Sequence, residues 1–198
     1  MRTNSRGEIL KNALSLFAQK GYEAISPNDI CELTGIQKPT LYYFFGSKEG
    51  LLDELLKEQY AKLDDVVNQA CVYYPDPKNY HNDVKPALIR VADAFFKFAG
   101  ENSEFYLFLM ALGFAPPQSV SAVVSGKYHK RHYEILTQMF FCISDVHPNI
   151  KGREAAYAIR FLALVNAQIA LWHRGFTELT NAEAESIVRG FLHGIYNR

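Results

Sequence analysis

Apolar side chains recur along this sequence with the spacing of an α-helix, and no segment alternates apolar and polar residues as a strand does. The helical period runs through residues 48–71, 84–99, 103–112, 118–144, 152–174 and 182–196, and in residues 8–20 it places Ile9, Leu10, Ala13, Leu14, Phe17 and Ala18 on one stripe. Two short segments, 26–33 and 38–46, complete the pattern. The sequence therefore predicts an all-α fold of about nine helices.

Capping residues mark several of the helix boundaries. Ser26 stands directly before a proline and three residues before Asp29, which is typical of a helix N-terminus. Gly35 ends the same short helix, because glycine readily takes the left-handed conformation that closes a helix. Residues 73–83 contain two prolines, two asparagines and two aspartates, which predicts a loop and a linker.

The two short helices lie on either side of a tight turn that contains Gly35, which is the arrangement of a helix-turn-helix. In the second helix, Leu41 and Phe45 lie four residues apart, and we expect them to pack inward. Their expected partners are Ile30, Leu33 and Ile36. The outward side then carries groups that reach phosphates and base edges in a major groove: Gln37, Lys38, Thr40, Tyr42 and Tyr43. From spacing alone, a DNA-binding surface and a solvated or partner-packing surface both remain open.

Several separate elements in residues 5–55 resemble the DNA-binding domain of the tetracycline-repressor (TetR/AcrR) family. These elements are FAQKGY at 17–22, Asp29-Ile30, Gly35-Ile36, TLYYFF at 40–45 and SKE at 47–49. The resemblance implies that residues 1–46 form a three-helix DNA-binding domain with the helix-turn-helix. It also implies that residues 47–198 form a helical domain for ligand binding and dimerisation. Phe44 departs from the family pattern, in which histidine or tyrosine is usual.

The resemblance also assigns contacts with double-stranded DNA to particular residues. The first turn of the second short helix matches a turn that contacts bases and phosphates, and the tyrosine pair matches an aromatic pair that does the same. Lys48 matches a lysine that contacts a phosphate, and Ser26 caps the helix that rests on the DNA backbone. The implied DNA-binding residues are Ser26, Gln37, Lys38, Pro39, Thr40, Tyr42, Tyr43 and Lys48.

The last two predicted helices resemble the interface through which the family forms homodimers. The first has a stripe of mostly small residues that permits close approach: Ala155, Ala156, Ile159, Ala163, Ala167 and Ala170. The second supplies the larger side chains of the expected partner surface: Ile187, Val188, Phe191, Leu192 and Ile195. A dimer would hold two recognition helices roughly 34–36 Å apart, which fits a palindromic operator.

By the same resemblance, a small, largely apolar or aromatic effector binds in the second domain and releases the protein from DNA. The candidate effector-binding residues are Phe98, Phe105, Phe108, Tyr128, His132 and Asn166. Each of these side chains also suits an ordinary core, and a buried histidine or asparagine is usually hydrogen-bonded structure. The function implied is a ligand-responsive transcriptional repressor that binds a specific DNA sequence.

Charge and cysteine content limit the remaining possibilities. Lysine plus arginine and aspartate plus glutamate each number 21, so a polybasic coat for nucleic acid is excluded, although a local basic surface is not. Three scattered cysteines favour a reducing compartment. The N-terminus lacks the apolar segment of a signal peptide, and the apolar stretches 105–115 and 161–172 are too short for a bilayer. We therefore expect a cytoplasmic protein with no membrane contact.

Two alternatives stay open beside this interpretation. A regulator of the same fold could be controlled by a protein partner, or not be gated by a ligand at all. An enzyme built on a helical bundle is disfavoured, because the chain contains no G-x-G-x-x-G, P-loop, G-x-S-x-G or H-E-x-x-H motif. We expect no catalytic residues, no metal and no cofactor.

Overall fold

The computed structural model describes residues 6–194, which form ten α-helices and one 3-10 helix with no strand among them. This confirms the all-α fold class. Residues 1–5 of the predicted DNA-binding domain lie outside the described residues. So do residues 195 and 196 at the end of the last predicted helix. The helices are α1 (Arg6–Lys20), α2 (Pro27–Thr34), α3 (Lys38–Phe45), α4 (Lys48–Ala70), α5 (Val84–Glu101), α6 (Ser103–Gly113), α7 (Val120–Ser125), α8 (Arg131–Val146), the 3-10 helix (Pro148–Ile150), α9 (Glu154–His173) and α10 (Asn181–His193).

The helix predicted over residues 118–144 is in fact two helices, α7 and α8. The Ser119 hydroxyl caps α7 by accepting a hydrogen bond from the Ala122 amide, and α7 ends after six residues at Gly126. In the connection that follows, the Tyr128 hydroxyl donates to Asp53 Oδ1 at 3.0 Å. Such side-chain bonds hold the connection in a non-helical path. Apolar periodicity alone does not reveal them, so the two helices were predicted as one.

The described helices group into two compact units. The first comprises the residues up to Ala61 together with Asn102–His129. In it α1 packs against α2 and α6, α2 packs against α3, and α6 packs against α7. Ile9, Phe17 and Leu52 are almost completely buried in its core. The boundary predicted after residue 46 separates domains by function, whereas these units are groups of helices that pack together. That boundary therefore stays a prediction.

The second unit comprises Lys62–Glu101 and the described residues from Lys130 onward. Its α8 packs against α9, and α5 packs against both α9 and α10. Of the described helices, α9 alone is long and apolar enough, by length and composition, to cross a membrane. One side of α9 is already used inside this unit, where Phe161, Val165 and Ile169 are fully buried.

Candidate DNA-binding surface

A capping box fixes the start of α2. Ser26 Oγ accepts a hydrogen bond from the Asp29 amide at 3.3 Å, and Asp29 Oδ2 accepts from the Ser26 amide at 2.7 Å. The Ser26 hydroxyl also donates to Asp29 Oδ2 at 2.6 Å, and these bonds lower the pKa of Asp29. Ser26 therefore has a structural role at the helix end that does not depend on DNA.

The turn between α2 and α3 depends on a glycine. Gly35 has a φ of +68°, and its amide donates to the carbonyls of Cys31 and Glu32. The Ile36 amide donates to the Cys31 carbonyl at 3.1 Å, so two orphan carbonyls of α2 are satisfied. Gln37 is extended, with φ −96° and ψ 155°, and α3 starts after it.

The α3 helix has a buried side and an exposed side. Leu41 is fully buried and Phe45 is 7% exposed. On the other side Tyr43 is 84% exposed and Tyr42 is 42% exposed. The other predicted base- and phosphate-contacting residues of the α3 N-terminal region are exposed too: Gln37, Lys38, Pro39 and Thr40. The structure therefore brings six of the eight predicted DNA-binding residues together on one solvent-facing surface.

One packing prediction in this region is wrong. Leu33 was expected to pack inward, but it is 52% exposed. The inward side of α2 is formed instead by Ile30, Cys31 and Thr34, and the Thr34 hydroxyl donates to the Ile30 carbonyl at 2.6 Å. Ile36 is half-buried in the turn. In a helix of only eight residues, the few inward positions are chosen by the neighbouring helices, which periodicity alone does not identify.

The N-terminal end of α3 offers few amides to an anion. The Gln37 side chain makes no capping hydrogen bond, but Pro39 has no amide hydrogen and the Thr40 amide donates to the Gln37 carbonyl at 3.0 Å, which leaves the Lys38 amide as the candidate for a phosphate. The amides at a helix N-terminus carry partial positive charge and favour phosphate. The Lys38 side chain is exposed at the same end.

Lys48, at the start of α4, is more constrained than the other predicted contacts. Its ammonium donates to the Tyr22 carbonyl at 2.6 Å and lies 3.9 Å from the centre of the Tyr22 ring. Burial lowers the pKa of Lys48, although Glu23 and Asp29 act in the opposite direction. Lys48 therefore fastens α4 to the turn before α2, and its contact with a phosphate stays a prediction.

Sequence reasoning missed Glu23, which connects the same turn to α7. Glu23 Oε1 accepts hydrogen bonds from the Ser121 hydroxyl at 2.8 Å and from the Ser121 amide at 3.2 Å. The two residues are 98 positions apart in the chain, so no local pattern could have paired them. The turn between α1 and α2 is thus held from α4 and from α7.

Three of the predicted effector-binding residues lie in the first unit, and they are packed or hydrogen-bonded there. Phe105 is almost completely buried and meets the Tyr60 ring edge-on at 5.5 Å. Tyr128 stacks on Tyr60 at 5.9 Å. Phe108 lies 5.7 Å from the Phe17 ring. The Tyr60 hydroxyl lies 3.0 Å from His129 Nδ1, and burial lowers the pKa of that imidazole.

The other three predicted effector-binding residues lie in the second unit. His132 is 2% exposed, with its ring 6.5 Å from Phe95. Asn166 is half-buried on α9. Phe98 is 4% exposed and lines a shallow cavity beside Arg90. An effector-binding role for all six residues stays a prediction.

The predicted dimer residues of α9 are on the surface of their unit. Ile159 is 55% exposed, and all the alanines of the predicted stripe are exposed or half-buried: Ala155, Ala156, Ala163, Ala167 and Ala170. Leu164 and Leu171 add 43% and 47% exposed side chains. On α10, in contrast, Val188 is fully buried and Phe191 packs against Phe161 at 5.2 Å. Val188 and Phe191 thus serve their own unit, Ile187 and Leu192 are half-buried, and Ile195 lies outside the described residues.

Comparisons with known proteins agree with this geometry. Residues 9–55 match the family described as "Bacterial regulatory proteins, tetR family". The HTH-type transcriptional repressor AcnR of Corynebacterium glutamicum is 39% identical over 67 residues, which are 34% of this chain and 36% of that protein. The matched segments span 36% or less of the length of the curated relatives.

Two solved structures match almost the whole chain. The TetR family transcriptional regulator PfmR of Thermus thermophilus is 26% identical with a TM-score of 0.74, and the match covers 99% of this chain and 100% of PfmR. FadR of Bacillus subtilis, solved in complex with stearoyl-CoA, has a TM-score of 0.78 at 16% identity and shows the fold alone. That match covers 97% of this chain and 100% of FadR.

The buried and exposed sides of α2 and α3 are those of a helix-turn-helix. Residues 9–55 match the model of the tetR family, and the fold of the chain is that of a solved TetR family transcriptional regulator. The resemblance noted in the sequence is therefore confirmed.

Proposed function

We propose that this chain is a transcriptional repressor that binds a palindromic operator as a homodimer and is released by a small, largely apolar or aromatic effector. The observation that carries the proposal is the outward surface of α3, where Gln37, Thr40 and Tyr43 are exposed. Leu41 and Phe45 are buried beneath them, so the surface is held rigidly by the core. A polar and aromatic surface on such a support is suited to a major groove.

Each exposed group of α3 has a chemical role in this proposal. The Gln37 amide has the donor and acceptor that pair with adenine, and the Thr40 hydroxyl and methyl suit a base edge or a thymine methyl. The Lys38 ammonium and the Lys38 amide bind phosphate. Because few cations take part, affinity should fall only gently with salt.

A homodimer is supported by the exposed apolar stripe of α9. Ile159, Leu164 and Leu171 are large apolar side chains left in contact with water, and the small alanines between them allow a second helix to approach closely. A two-fold dimer of this kind presents two copies of α3 to two half-sites about one duplex turn apart. In such a dimer the exposed apolar side of α9 packs against the second chain, so no membrane is needed to cover it.

The effector would act by shifting the dimer between two arrangements, of which one fits the operator. A coupling of roughly 1–3 kcal/mol changes operator affinity about 5–150-fold. The α4 helix supplies residues to both units and carries Lys48 at its start, which makes it the best candidate for transmitting the shift. FadR, a protein of the same fold, was solved in complex with stearoyl-CoA, which supports a response to a ligand.

A second candidate is a repressor of the same fold without ligand gating. The packing of Phe105 and Phe108 in the first core favours it, because both side chains already have aromatic neighbours. The curated relative named above, AcnR, is a transcriptional repressor, which argues against an enzyme. A cytoplasmic location goes with either candidate, because the proposed partner is genomic DNA.

The decisive experiment is selection of bound duplexes from a random DNA pool by the full chain, followed by footprinting and sedimentation of the complex. We expect a two-fold symmetric sequence bound by two or four chains. Tyr43→Ala should reduce affinity for the selected duplex at least about tenfold. A sequence-independent pool, or a single chain per duplex, would contradict the proposal.

A further inference from the structure

A cavity of about 330 Å³ lies in the second unit, among the start of α5, the end of α8, the 3-10 helix, α9 and α10. Its volume is at the lower end of the range for natural small-molecule pockets. None of the six predicted effector-binding residues lines it. Its walls are mainly apolar and aromatic, and the polar side chains in the lining are His147, Asn149, Tyr80 and Tyr157.

Three aromatic rings form one wall of this cavity. Phe140 and Tyr157 are stacked with centroids 6.3 Å apart and planes inclined by 25°. Phe191 meets both rings edge-on, at 6.2 Å from Phe140 and 6.0 Å from Tyr157. Tyr157 and Phe191 are only half-buried, so ring surface is left to receive a planar ligand. Stacked and edge-on contacts of this kind favour an aromatic ligand over an aliphatic one of equal size.

The imidazole of His147 is oriented by a buried carboxylate. His147 Nε2 lies 2.8 Å from Asp83 Oδ2, and the Asp83 side chain is fully buried. Burial acts to raise the pKa of Asp83, but hydrogen bonds outweigh it and lower that pKa to about 2. The other donors to Asp83 are the Tyr73 hydroxyl at 2.5 Å and the amides of Asp76 and Val84.

This arrangement requires that Nε2 of His147 carries a proton. An ionised carboxylate only accepts hydrogen bonds, so Nε2 of His147 must be the donor, and in the neutral imidazole Nδ1 is then an acceptor. Nδ1 makes no hydrogen bond within the described residues, and it is not among the polar atoms that are sealed without a partner. With the imidazole neutral, His147 therefore offers the cavity one oriented acceptor beside an aromatic wall.

We propose that this cavity binds a small phenol, whose ring packs against Phe140, Tyr157 and Phe191 while its hydroxyl donates to His147 Nδ1. The inference rests on the proposed ligand response and names the class of effector and its place. A phenol supplies both parts that the site requires, a planar ring and a neutral donor. A carboxylate would meet the lone pair of Nδ1 instead of a donor, and it would lie close to the charge of Asp83.

Calorimetric titration of the full chain without DNA tests the proposal with three matched compounds. These are 2-naphthol, 2-methoxynaphthalene, which has the same ring but no donor, and 2-naphthoate. We expect the naphthol to bind at least tenfold more tightly than the ether, and the naphthoate to bind more weakly than the naphthol. His147→Phe should bind naphthol and ether equally, because the acceptor is gone and the aromatic wall remains. Ile150→Trp, which fills part of the cavity with a bulky indole, should weaken the binding of both naphthol and ether.

Several results would overturn the phenol site. These are no binding of naphthol to the unsubstituted chain, equal binding of naphthol and ether, or a preference for naphthoate. A naphthol preference that survives in His147→Phe would also overturn it. If His147→Phe does not fold, the comparison of compounds on the unsubstituted chain still decides. Since no DNA is present, a negative result leaves the proposed DNA binding untouched, and failure to bind DNA leaves the phenol site untouched.

Discussion

Two lysines predicted to contact DNA, Lys38 and Lys48, differ in their exposure and in their contacts with the rest of the protein. Lys38 is exposed at the N-terminal end of α3, whereas Lys48 is half-buried and bonded to the Tyr22 carbonyl. We expect Lys38→Ala to weaken operator binding and to reduce the slope of log affinity against log salt by about one, with unchanged thermal stability. Lys48→Ala should lower both affinity and the unfolding temperature, because it also frees the turn before α2.

Gel-shift titrations at several salt concentrations, together with thermal unfolding, separate the two effects. Lys57→Ala serves as the control, since Lys57 is exposed and its ion pair with Glu54 is an i,i+3 pair on the surface of α4. Equal behaviour of the Lys38 and Lys48 variants would contradict the different roles assigned to the two lysines.

Asp83 should make stability depend on acid pH. Its pKa is about 2 in the folded chain against an ordinary value of 3.8, so the ionised form stabilises the folded state. This contribution is complete above about pH 4 and is lost as the pH falls toward 2. Asp83→Asn should therefore lower the free energy of unfolding by about 2 kcal/mol at pH 7, and the difference should vanish near pH 2.

Urea unfolding of the two chains across this pH range checks the prediction. Asp65→Asn, at an exposed position of the same unit, is the matched control and should change little at any pH. A loss from Asp83→Asn that stayed constant down to pH 2 would show that the carboxylate charge is not the cause.

At the scale of elements, the junction of α3 and α4 leaves no room for a side chain at Gly50. A Cβ placed there would lie 2.1 Å from the Phe45 carbonyl oxygen, at the end of α3. Neither atom can move away by a side-chain rotation, because one is a backbone oxygen and the other is a Cβ. The end of α3 and the start of α4 must therefore separate to relieve the clash. We expect Gly50→Ala to cost about 1–3 kcal/mol of stability and to weaken operator binding by displacing α3.

Thermal unfolding and gel-shift titration measure both losses. Gly100→Ala is the matched control, because Gly100 lies within α5 with open space around it and should be neutral or slightly stabilising as alanine. If Gly50→Ala behaved like Gly100→Ala, the close contact between the two helices would not exist in solution.

For the molecule as a whole, the exposed stripe of α9 predicts the oligomeric state. Ile159→Glu places a charge in the proposed interface, and we expect a monomer in sedimentation velocity and at least about tenfold weaker operator binding. Val123→Glu is the control, since Val123 is an apolar side chain that is 60% exposed on α7 and is not part of the predicted stripe. A dimer that persists in Ile159→Glu would place the interface elsewhere.

Local pattern was enough to predict the helices and the outward surface of α3. Gly35, Ser26 and the spacing of Leu41 and Phe45 act within a few residues of each other, so their effects are visible in the sequence. The break between α7 and α8 was not predictable in this way, because it depends on bonds from Tyr128 and its neighbours to α4.

The sequence by itself determined an all-helical chain with a helix-turn-helix and an exposed reading surface, since periodicity, caps and turns are properties of neighbouring residues. Tertiary structure alone decided which polar side chains are hydrogen-bonded to distant parts of the chain, such as Lys48 to the Tyr22 carbonyl and Glu23 to Ser121. It alone placed the His147–Asp83 pair beside an aromatic cavity, joining residues 64 positions apart. Packing between distant segments fixes these pairs, and a linear pattern does not encode which distant side chains will meet.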